Sequence, residues 1–249
     1  MRNLVSVIIP FFNRQESLKR AIFSVLNQTY KDKEIILIND GSTEPITDIL
    51  RMVSQYKEIH LYSNKKNLGP SLSRNKGINI AKGRFIAFLD SDDEWLNFKL
   101  SYQIKYMLEE KLSFTYTSYL KNHIENNKIT LVKANNHPSY LLNTFKCNIA
   151  TPTVVIEKKI TRGIEFPSKI KYGEDIIYWS RLYKKTKIHG LNIPTALINV
   201  KKSSSSNNLS IQKEGFSNIN KYLFKNNFIL RLIHKIYYNI ILITKSLIL

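Results

Sequence analysis

Four short apolar runs alternate with amphipathic segments over residues 1–110 of the sequence. The runs have the length of buried strands and lie at residues 5–9, 34–38, 59–62 and 84–89. Between and after them, apolar residues recur at three- and four-residue intervals, the spacing of an amphipathic helix. Strands that alternate with helices in this way predict an α/β fold, in which helices cover both faces of a mostly parallel sheet.

Three of the predicted strands are followed by polar segments. Residues 12–13 follow the first strand, 39–42 the second and 90–93 the fourth. Ligands of open α/β sheets bind beyond the carboxyl ends of the strands, so we expect the three segments to form one ligand-binding edge. Asn13, with Glu16 three residues later, also predicts a capping box at the start of the first helix.

The segment over 90–93 holds the three carboxylates of Asp90, Asp92 and Asp93. Their mutual repulsion is costly unless a cation or solvent compensates it. Carboxylate oxygens suit Mg²⁺ or Mn²⁺, which commonly bridge a few carboxylates to substrate phosphates. The alternative is an acidic helix start, where aspartate is favoured by the backbone amides and the helix dipole.

Three further residues each allow two interpretations. Asp40 lies either in a plain strand-to-helix turn or where it accepts hydrogen bonds from a nucleobase or ribose. Phe12 is either a core aromatic or a stacking platform for a base. Arg74 is either solvated or reaches back to phosphate or to the aspartates. A Rossmann dinucleotide site is excluded, because no G-x-G-x-x-G follows the first strand.

Beyond residue 112 the pattern is less regular. It predicts strands over 112–120 and 153–156, and a helix that opens with Glu174 and Asp175 after a glycine. The acidic pair is either a helix cap or the source of a general base. Residues 201–208 form a basic, serine-rich loop.

The composition restricts the partners and the kinds of site. Lysine and arginine number 38 against 19 aspartates and glutamates, a formal net charge of +19. This excess indicates an anionic partner, which is nucleic acid, an anionic membrane surface or a phosphorylated substrate. The single cysteine, Cys147, excludes an internal disulfide framework and a zinc cluster of several thiolates. The five histidines include no H-x-x-x-H pair.

The end of the sequence is apolar and basic. We find no secretory signal and no run of about 18–20 uncharged apolar residues, so we expect a cytoplasmic chain. Plotted as a helix, residues 226–249 place on one side Asn227, Arg231, His234, Lys235, Asn239 and Lys245. The opposite side holds Ile229, Ile233, Ile236, Ile240 and Ile243. Such a helix suits an in-plane position on an anionic membrane; packing on the rest of the protein or on a partner is the alternative.

Five segments of the sequence read VSVIIPFFNR, QTYKDKEIILINDGS, NLGPSLSRNKGI, GRFIAFLDSDD and YGEDIIYWSRL. In this order and at these separations, over about residues 4–185, they resemble glycosyltransferase family 2. These are inverting, nucleotide-sugar-dependent enzymes. The resemblance implies the GT-A fold, a Rossmann-like, mostly parallel sheet flanked by helices, here followed by a C-terminal amphipathic helical appendage.

The resemblance also assigns roles to residues by motif. It implies that Pro10, Phe12 and Asp40 hold the base and ribose of a nucleotide sugar, with UDP-sugars as the expected donors. The whole donor-binding set is Pro10, Phe12, Asp40, Arg74, Asp90 and Ser91. Arg74 matches the arginine of the family's N-x-G-x-x-x-A-R-N segment, although Ser73 replaces the usual alanine.

Metal binding and proton transfer are assigned in the same way. Asp90 and Asp92 match the D-x-D motif for Mg²⁺ or Mn²⁺, with Asp93 adjacent as a further ligand, and Asp175 matches the catalytic base. One departure is Asn39, where the family usually has aspartate. Another is the lid motif, which appears only as Val200-Lys201-Lys202.

The resemblance implies a single displacement onto a hydroxyl of a lipid-linked or cell-surface glycan, at the inner face of the cell membrane. Residues 1–110 would bind the donor, 111–210 the acceptor, and 211–249 the membrane. Nucleic acid is then not an expected partner. Two alternatives stay open, a nucleic-acid-binding protein and an inactive membrane scaffold that keeps only the fold.

Overall fold

The computed structural model describes residues 3–140, 144, 149–170, 172–201 and 209–246. Within them, the strands are β1 (Val5–Phe11), β2 (Lys33–Asn39), β3 (Ile59–Ser63), β4 (Phe85–Phe88), β5 (Glu94–Trp95), β6 (Phe114–His123), β7 (Lys128–Val132), β8 (Val155–Glu157) and β9 (His189–Val200). The helices are α1 (Gln15–Leu26), α2 (Thr47–Gln55), α3 (Pro70–Ile80), α4 (Lys99–Glu109), α5 (Glu174–Tyr183), α6 (Leu209–Leu223) and α7 (Phe228–Ser246). Cys147 and residues 202–208 lie outside the described residues.

The strands form one sheet in the order β3-β2-β1-β4-β8-β6-β9-β5, with β7 paired to β6. Strands β3, β2, β1 and β4 are mutually parallel, and β8 is antiparallel to both β4 and β6. From β1 the chain builds outward to β2 and β3, and then returns to place β4 on the other side of β1. The carboxyl ends of β1 and β4 therefore border the point at which such sheets bind ligands.

Helices cover both faces of the sheet. On one face, α1, α2 and α4 bury residues such as Leu18 and Ile49 against the strands. On the other face, α3 and α5 bury a second apolar layer that includes Trp179. Gly77 brings α3 close to β1, because a Cβ at this position would lie 2.5 Å from the Ile8 side chain. These layers confirm the α/β fold expected from the alternating pattern.

The predicted capping box at the first helix is wrong. Helix α1 begins at Gln15 without a side-chain cap, and Asn13 has a left-handed backbone conformation with φ of 56°. The Asn13 Oδ1 atom instead accepts the backbone N–H groups of Thr43 and Glu44, at 3.0 and 3.2 Å. Asn13 therefore ties the loop after β1 to the loop after β2, and Glu16 has no cap to complete.

The second half of the chain extends the same sheet. The strand predicted over 112–120 is β6, and the one predicted over 153–156 begins later, as β8, after a 3₁₀ turn at Thr151–Thr153. The pattern missed β9, which pairs with β6 in parallel and with β5 in antiparallel orientation. Strand β5 lies in the segment that follows β4, so its pairing with β9 joins this segment to the edge of the sheet beyond β6.

Helices α6 and α7 form a hairpin beside α5. His234 of α7 is fully buried and stacks on Phe216 of α6, with ring centroids 3.8 Å apart, so its expected place on an exposed polar side is wrong. The described isoleucines of the apolar side, Ile229, Ile233 and Ile236, are exposed. The side chains of Ile240, Ile243 and Lys245 lie outside the described part. Across the described residues, no helix combines the length and hydropathy needed to cross a membrane.

Candidate active site

A cleft of about 370 Å³ lies at the carboxyl ends of β1 and β4, where the strand order reverses. Most of the predicted donor-binding set lines it, namely Pro10, Phe12, Asp40, Asp90 and Ser91. The start of α3 and the loop before it add Asn67, Gly69 and Pro70. The three polar segments that follow β1, β2 and β4 therefore do meet at one edge, as the sequence predicted.

Phe12 lies at the cleft surface. Its side chain is 40% exposed, whereas the preceding Phe11 is buried in the apolar layer under α1. Phe11 is the last residue of β1, whereas Phe12 follows the strand at its carboxyl end, so the two neighbouring rings have different surroundings. The exposure excludes the core interpretation of Phe12 and leaves an aromatic surface on which a base can stack.

Asp40 holds the loop that forms one wall of the cleft. Its Oδ1 atom accepts hydrogen bonds from Asn64 Nδ2 at 2.8 Å and from the Leu68 backbone N–H at 3.0 Å. Its Oδ2 atom accepts the Gly69 backbone N–H at 2.8 Å. Gly41 follows with φ of 74°, and a Cβ there would overlap the backbone of Lys66. The carboxylate therefore has a structural task at the cleft, in addition to its predicted contact with the donor.

Arg74 is buried behind the cleft and joins two acidic groups from distant parts of the sequence. One guanidinium nitrogen lies 2.8 Å from Asp90 Oδ1, and the other lies 3.2 Å from Glu174 Oε1. The side chain is only 6% exposed and packs against the Phe166 ring. Burial lowers the pKa of Arg74, but attraction to the carboxylates of Asp90 and Glu174 raises it by a larger amount. The residue therefore stays charged. The solvated interpretation of Arg74 is therefore wrong.

Asp175 lies in the first turn of α5, directly after Glu174. Burial, and then repulsion by Glu174, raise the pKa of Asp175 to about 7, while Arg74 acts in the opposite direction. The Asp175 Oδ1 atom accepts the backbone N–H of Ile176 at 2.8 Å, as a residue at a helix start commonly does. A carboxylate with a pKa near neutrality is suited to take up and release a proton at physiological pH.

The acidic turn after β4 is held from two sides. Asp92 Oδ2 pairs with Arg14 at 3.0 Å and is 43% exposed. Asp93 is buried, and its Oδ1 atom accepts the backbone N–H of Asn199 in β9 at 2.9 Å. Asn199 also donates its side-chain amide to the Asp92 carbonyl at 2.7 Å. Burial, and then repulsion by the neighbouring aspartates, raises the pKa values of both Asp92 and Asp93, because the surrounding protein does not fully compensate the negative charge of this turn.

This charge and the oxygen donors fit a hard divalent cation at the cleft. Asp90 and Asp92 line the cleft, and the rest of the coordination shell of such an ion is commonly water and phosphate oxygen. Asp93 does not line the cleft, and its contact with β9 gives it the position of a buried support. Among the described residues, no three acidic, histidine or cysteine side chains form a complete metal site. The fit therefore rests on Asp90 and Asp92.

A second cleft of about 850 Å³ adjoins the first and shares Arg14 and Asp92 with it. Tyr172, Asn199 and Lys201 also line it, so it extends from the acidic turn toward the start of α5. Lys201 belongs to the Val200-Lys201-Lys202 segment that stands where the family has its lid motif. Its position in this second cleft places it on the side of Asp92, while the remainder of the predicted lid lies outside the described residues.

The sequence did not indicate several residues that shape the site. Asn64 follows β3, so the same rule of polar residues at strand ends would have found it. Arg14 stood directly after a predicted binding segment. Asn199 had no such signal, because its contact with the acidic turn depends on the pairing of β9 with β5.

Comparison with known proteins identifies the family. The family model described as glycosyl transferase family 2 matches residues 6–162. The chain belongs to this family. The match includes the cleft segments after β1, β2 and β4, whereas Asp175 and the α6–α7 hairpin lie beyond it.

Named relatives of this family 2 protein occur in several bacteria. It is 35% identical over 231 residues to an uncharacterized glycosyltransferase of Rickettsia bellii, covering 90% of this chain but 33% of that protein. Another relative is the Escherichia coli UDP-Glc:alpha-D-GlcNAc-diphosphoundecaprenol beta-1,3-glucosyltransferase WfaP, 36% identical over 73% of this chain and 71% of WfaP. The Bacillus subtilis putative teichuronic acid biosynthesis glycosyltransferase TuaG is 33% identical over 82% of each chain. The chain thus spans about a third of the length of its Rickettsia relatives.

Solved structures confirm the GT-A fold of this family 2 chain. The crystal structure of S. aureus TarS 1-349 in complex with UDP-GlcNAc superposes with a TM-score of 0.72. It covers 90% of this chain and 68% of the TarS chain at 18% identity. At that identity, the similarity establishes the fold alone.

Proposed function

We propose that this chain transfers a sugar from a UDP-sugar to a hydroxyl group of a lipid-linked or cell-surface glycan, with inversion at the anomeric carbon. The observation that carries the proposal is the buried bridge through Arg74. It connects Asp90, at the cleft expected to hold the donor diphosphate, to Glu174, which adjoins the proposed base Asp175. A displacement reaction needs both a site for the leaving group and a base, and Arg74 fixes one relative to the other.

In the proposed reaction, Phe12 stacks on the base of the donor and Asp40 orients the loop that encloses its ribose. Asp175 accepts the proton of the acceptor hydroxyl as the oxygen attacks the anomeric carbon. The bond from that carbon to the diphosphate oxygen breaks as the new glycosidic bond forms, and UDP leaves. A divalent metal bound by Asp90 and Asp92 would stabilise the negative charge on the departing diphosphate.

Attack from the face opposite the leaving diphosphate inverts the configuration. An α-linked UDP-sugar is therefore expected to give a β-linked product. The second cleft, which runs from Asp92 to Tyr172, three residues before Asp175, is the proposed place for the acceptor. The names of relatives support the donor and acceptor classes, since WfaP is a UDP-Glc transferase for a diphosphoundecaprenol-linked GlcNAc.

A lipid-linked acceptor requires an enzyme at the membrane surface, and we propose a peripheral position on its cytoplasmic side. The exposed apolar residues of α7 support this position. Phe228 is 78% exposed and Ile229 is 69% exposed, beside the lysines and arginine of the same hairpin. An in-plane helix with apolar and basic surfaces binds anionic membranes in this way.

The test is release of UDP from a panel of UDP-sugars, with and without a GlcNAc-diphosphate lipid as acceptor. We expect acceptor-dependent release with at least one donor. Asp175→Asn should abolish release while calorimetry shows unchanged UDP affinity, because an amide keeps the shape of the carboxylate but not its basicity. Asp32→Asn is the matched control, since Asp32 is exposed before β2, at the opposite end of that strand from the cleft. Equal activity of the two variants would contradict the assignment of Asp175.

A further inference from the structure

A groove of about 1080 Å³ lies between α6 and α7, away from the donor cleft. Five cationic residues line it, namely Lys213, Lys221, Lys225, Arg231 and Lys235. No aspartate or glutamate lines this groove among the described residues. The groove is therefore a concentrated positive site that selects for an anion.

Among the described residues, none of the five cations of the groove forms an ion pair with an acidic side chain. Residues 209–246 contain one acidic side chain, Glu214, which is absent from the groove lining. The described ion pairs that hold the fold together therefore do not use this charge. This contrasts with Arg74 and Arg84, whose carboxylate partners belong to the protein.

Apolar side chains adjoin the same cations. Phe228 and Leu232 line the groove and are 78% and 47% exposed. Ile229, Ile233 and Ile236 continue this exposed surface along α7. A groove lined by cations together with the exposed side chains of Phe228 and Leu232, here called its apolar border, matches a molecule with an anionic head and an apolar tail. A soluble anion would make no use of the apolar border.

The hairpin makes hydrogen bonds to the rest of the protein. His234 is held between Phe216 and Phe224, and its Nε2 lies 3.4 Å from the Thr144 carbonyl. In α6, Asn218 donates to the Tyr172 carbonyl at 3.1 Å, three residues before Asp175. The helix that forms one wall of the groove therefore contacts the segment that leads to the proposed base.

We propose that the α6–α7 groove binds the phosphate head group of an anionic membrane phospholipid, with Phe228 and Leu232 entering its acyl layer. This inference rests on the proposed function, because a lipid-linked acceptor gives the enzyme a reason to lie on a membrane. It adds the site and its ligand. The lysines and Arg231 contact the phosphate, and the hairpin orients the second cleft relative to the membrane surface.

The test is flotation of the full chain with vesicles of phosphatidylcholine alone or mixed with phosphatidylglycerol, at about 0.15 M ionic strength. We expect strong binding only to the anionic vesicles. Arg231→Gln with Lys235→Gln should weaken it roughly 30-fold, which corresponds to about 1 kcal/mol for each removed cation. The control is Lys31→Gln with Lys57→Gln, which removes the same charge from exposed positions before β2 and β3. The control should bind within about twofold of the wild type, because its cations lie outside the groove.

A second pair of variants tests the apolar border. Phe228→Asn with Leu232→Asn should also release the chain from anionic vesicles, although no charge changes. Equal binding by the groove and control variants, or equal binding to both kinds of vesicle, would overturn the proposal. The proposal would also be overturned if the chain bound a random DNA duplex through the same cations and bound vesicles without them. The assay contains no donor or acceptor, so its result is independent of whether the chain transfers a sugar.

Discussion

Replacing Arg74 by glutamine is expected to destabilise the fold in a pH-dependent way. The guanidinium of Arg74 is 6% exposed and forms ion pairs with both Asp90 and Glu174. Removing one member of a buried ion pair costs about 3–5 kcal/mol, because the other member stays buried and uncompensated. Asp90 is 32% exposed and regains water, whereas Glu174 is 14% exposed and does not. We therefore expect a loss near the lower end, about 3 kcal/mol, at pH 8.

The loss should shrink as the pH falls. Arg74 lowers the pKa of Asp175, so in its absence the folded-state pKa of Asp175 rises further above the unfolded value, and the folded state binds more protons than the unfolded state. Stability relative to wild type then increases as the pH drops through that raised value. The pKa of Asp175 is already about 7 in the presence of Arg74, so the change begins near neutrality.

Urea unfolding at pH 8 and pH 5.5 measures both effects in the same variant. Arg20→Gln is the control, because Arg20 is 55% exposed and its pair with Glu94 is expected to contribute at most about 1 kcal/mol. The pH–rate profile gives a second reading, since a higher pKa for Asp175 moves the rising limb to more alkaline pH. An equal loss of stability at both pH values, or an unshifted profile, would refute the proposed bridge.

Three further predictions follow from individual contacts. In the presence of Mg²⁺, Asp92→Asn should lower the rate of sugar transfer by at least about 100-fold and leave the unfolding midpoint unchanged. Excess chelator should abolish transfer by the wild type, and full turnover in chelator would contradict metal dependence. Asp40→Asn should lower the free energy of unfolding by about 1–3 kcal/mol, because an amide nitrogen would face the backbone N–H groups of the loop; an unchanged urea midpoint would exclude this role. Burial lowers the pKa of His234 to about 4, so its contribution is complete above about pH 6.5 and is lost as the pH falls toward 4. Protection factors from hydrogen exchange over 228–239, taken relative to the intrinsic exchange rate at each pH, should be lower at pH 5 than at pH 7, and equal protection at both pH values would contradict this.

The parallel half of the sheet was predictable because its signals are local. The runs over 5–9 and 84–89 are long and apolar enough to be read as strands, and the strand-end rule then located Asp40 and Asp90 at one edge. The order of β1 and β4 in the sheet was not needed for that step. The resemblance to family 2 supplied the individual roles that the pattern left open.

The long-range contacts of the site were not predictable from patterns. Arg74 and Glu174 are 100 positions apart in the sequence, and nothing in their local spacing links them. Asn199 holds Asp93 only because β9 returns beside β5, and β9 has no regular alternation to reveal it. His234 has a helical spacing typical of an exposed polar residue, but the stacking on Phe216 outweighs that local preference. In each case, tertiary packing determined the position.

The anomeric configuration of the product tests the central claim most directly. The claim is that Asp175 activates the acceptor for a single displacement at the donor bound beside Asp90. Proton NMR of the isolated product of transfer from UDP-glucose or UDP-GlcNAc distinguishes the two anomers by their coupling constants. We predict a β-linked product from the α-linked donor, and none from the Asp175→Asn variant. An α-linked product, or continued transfer by that variant, would contradict the account.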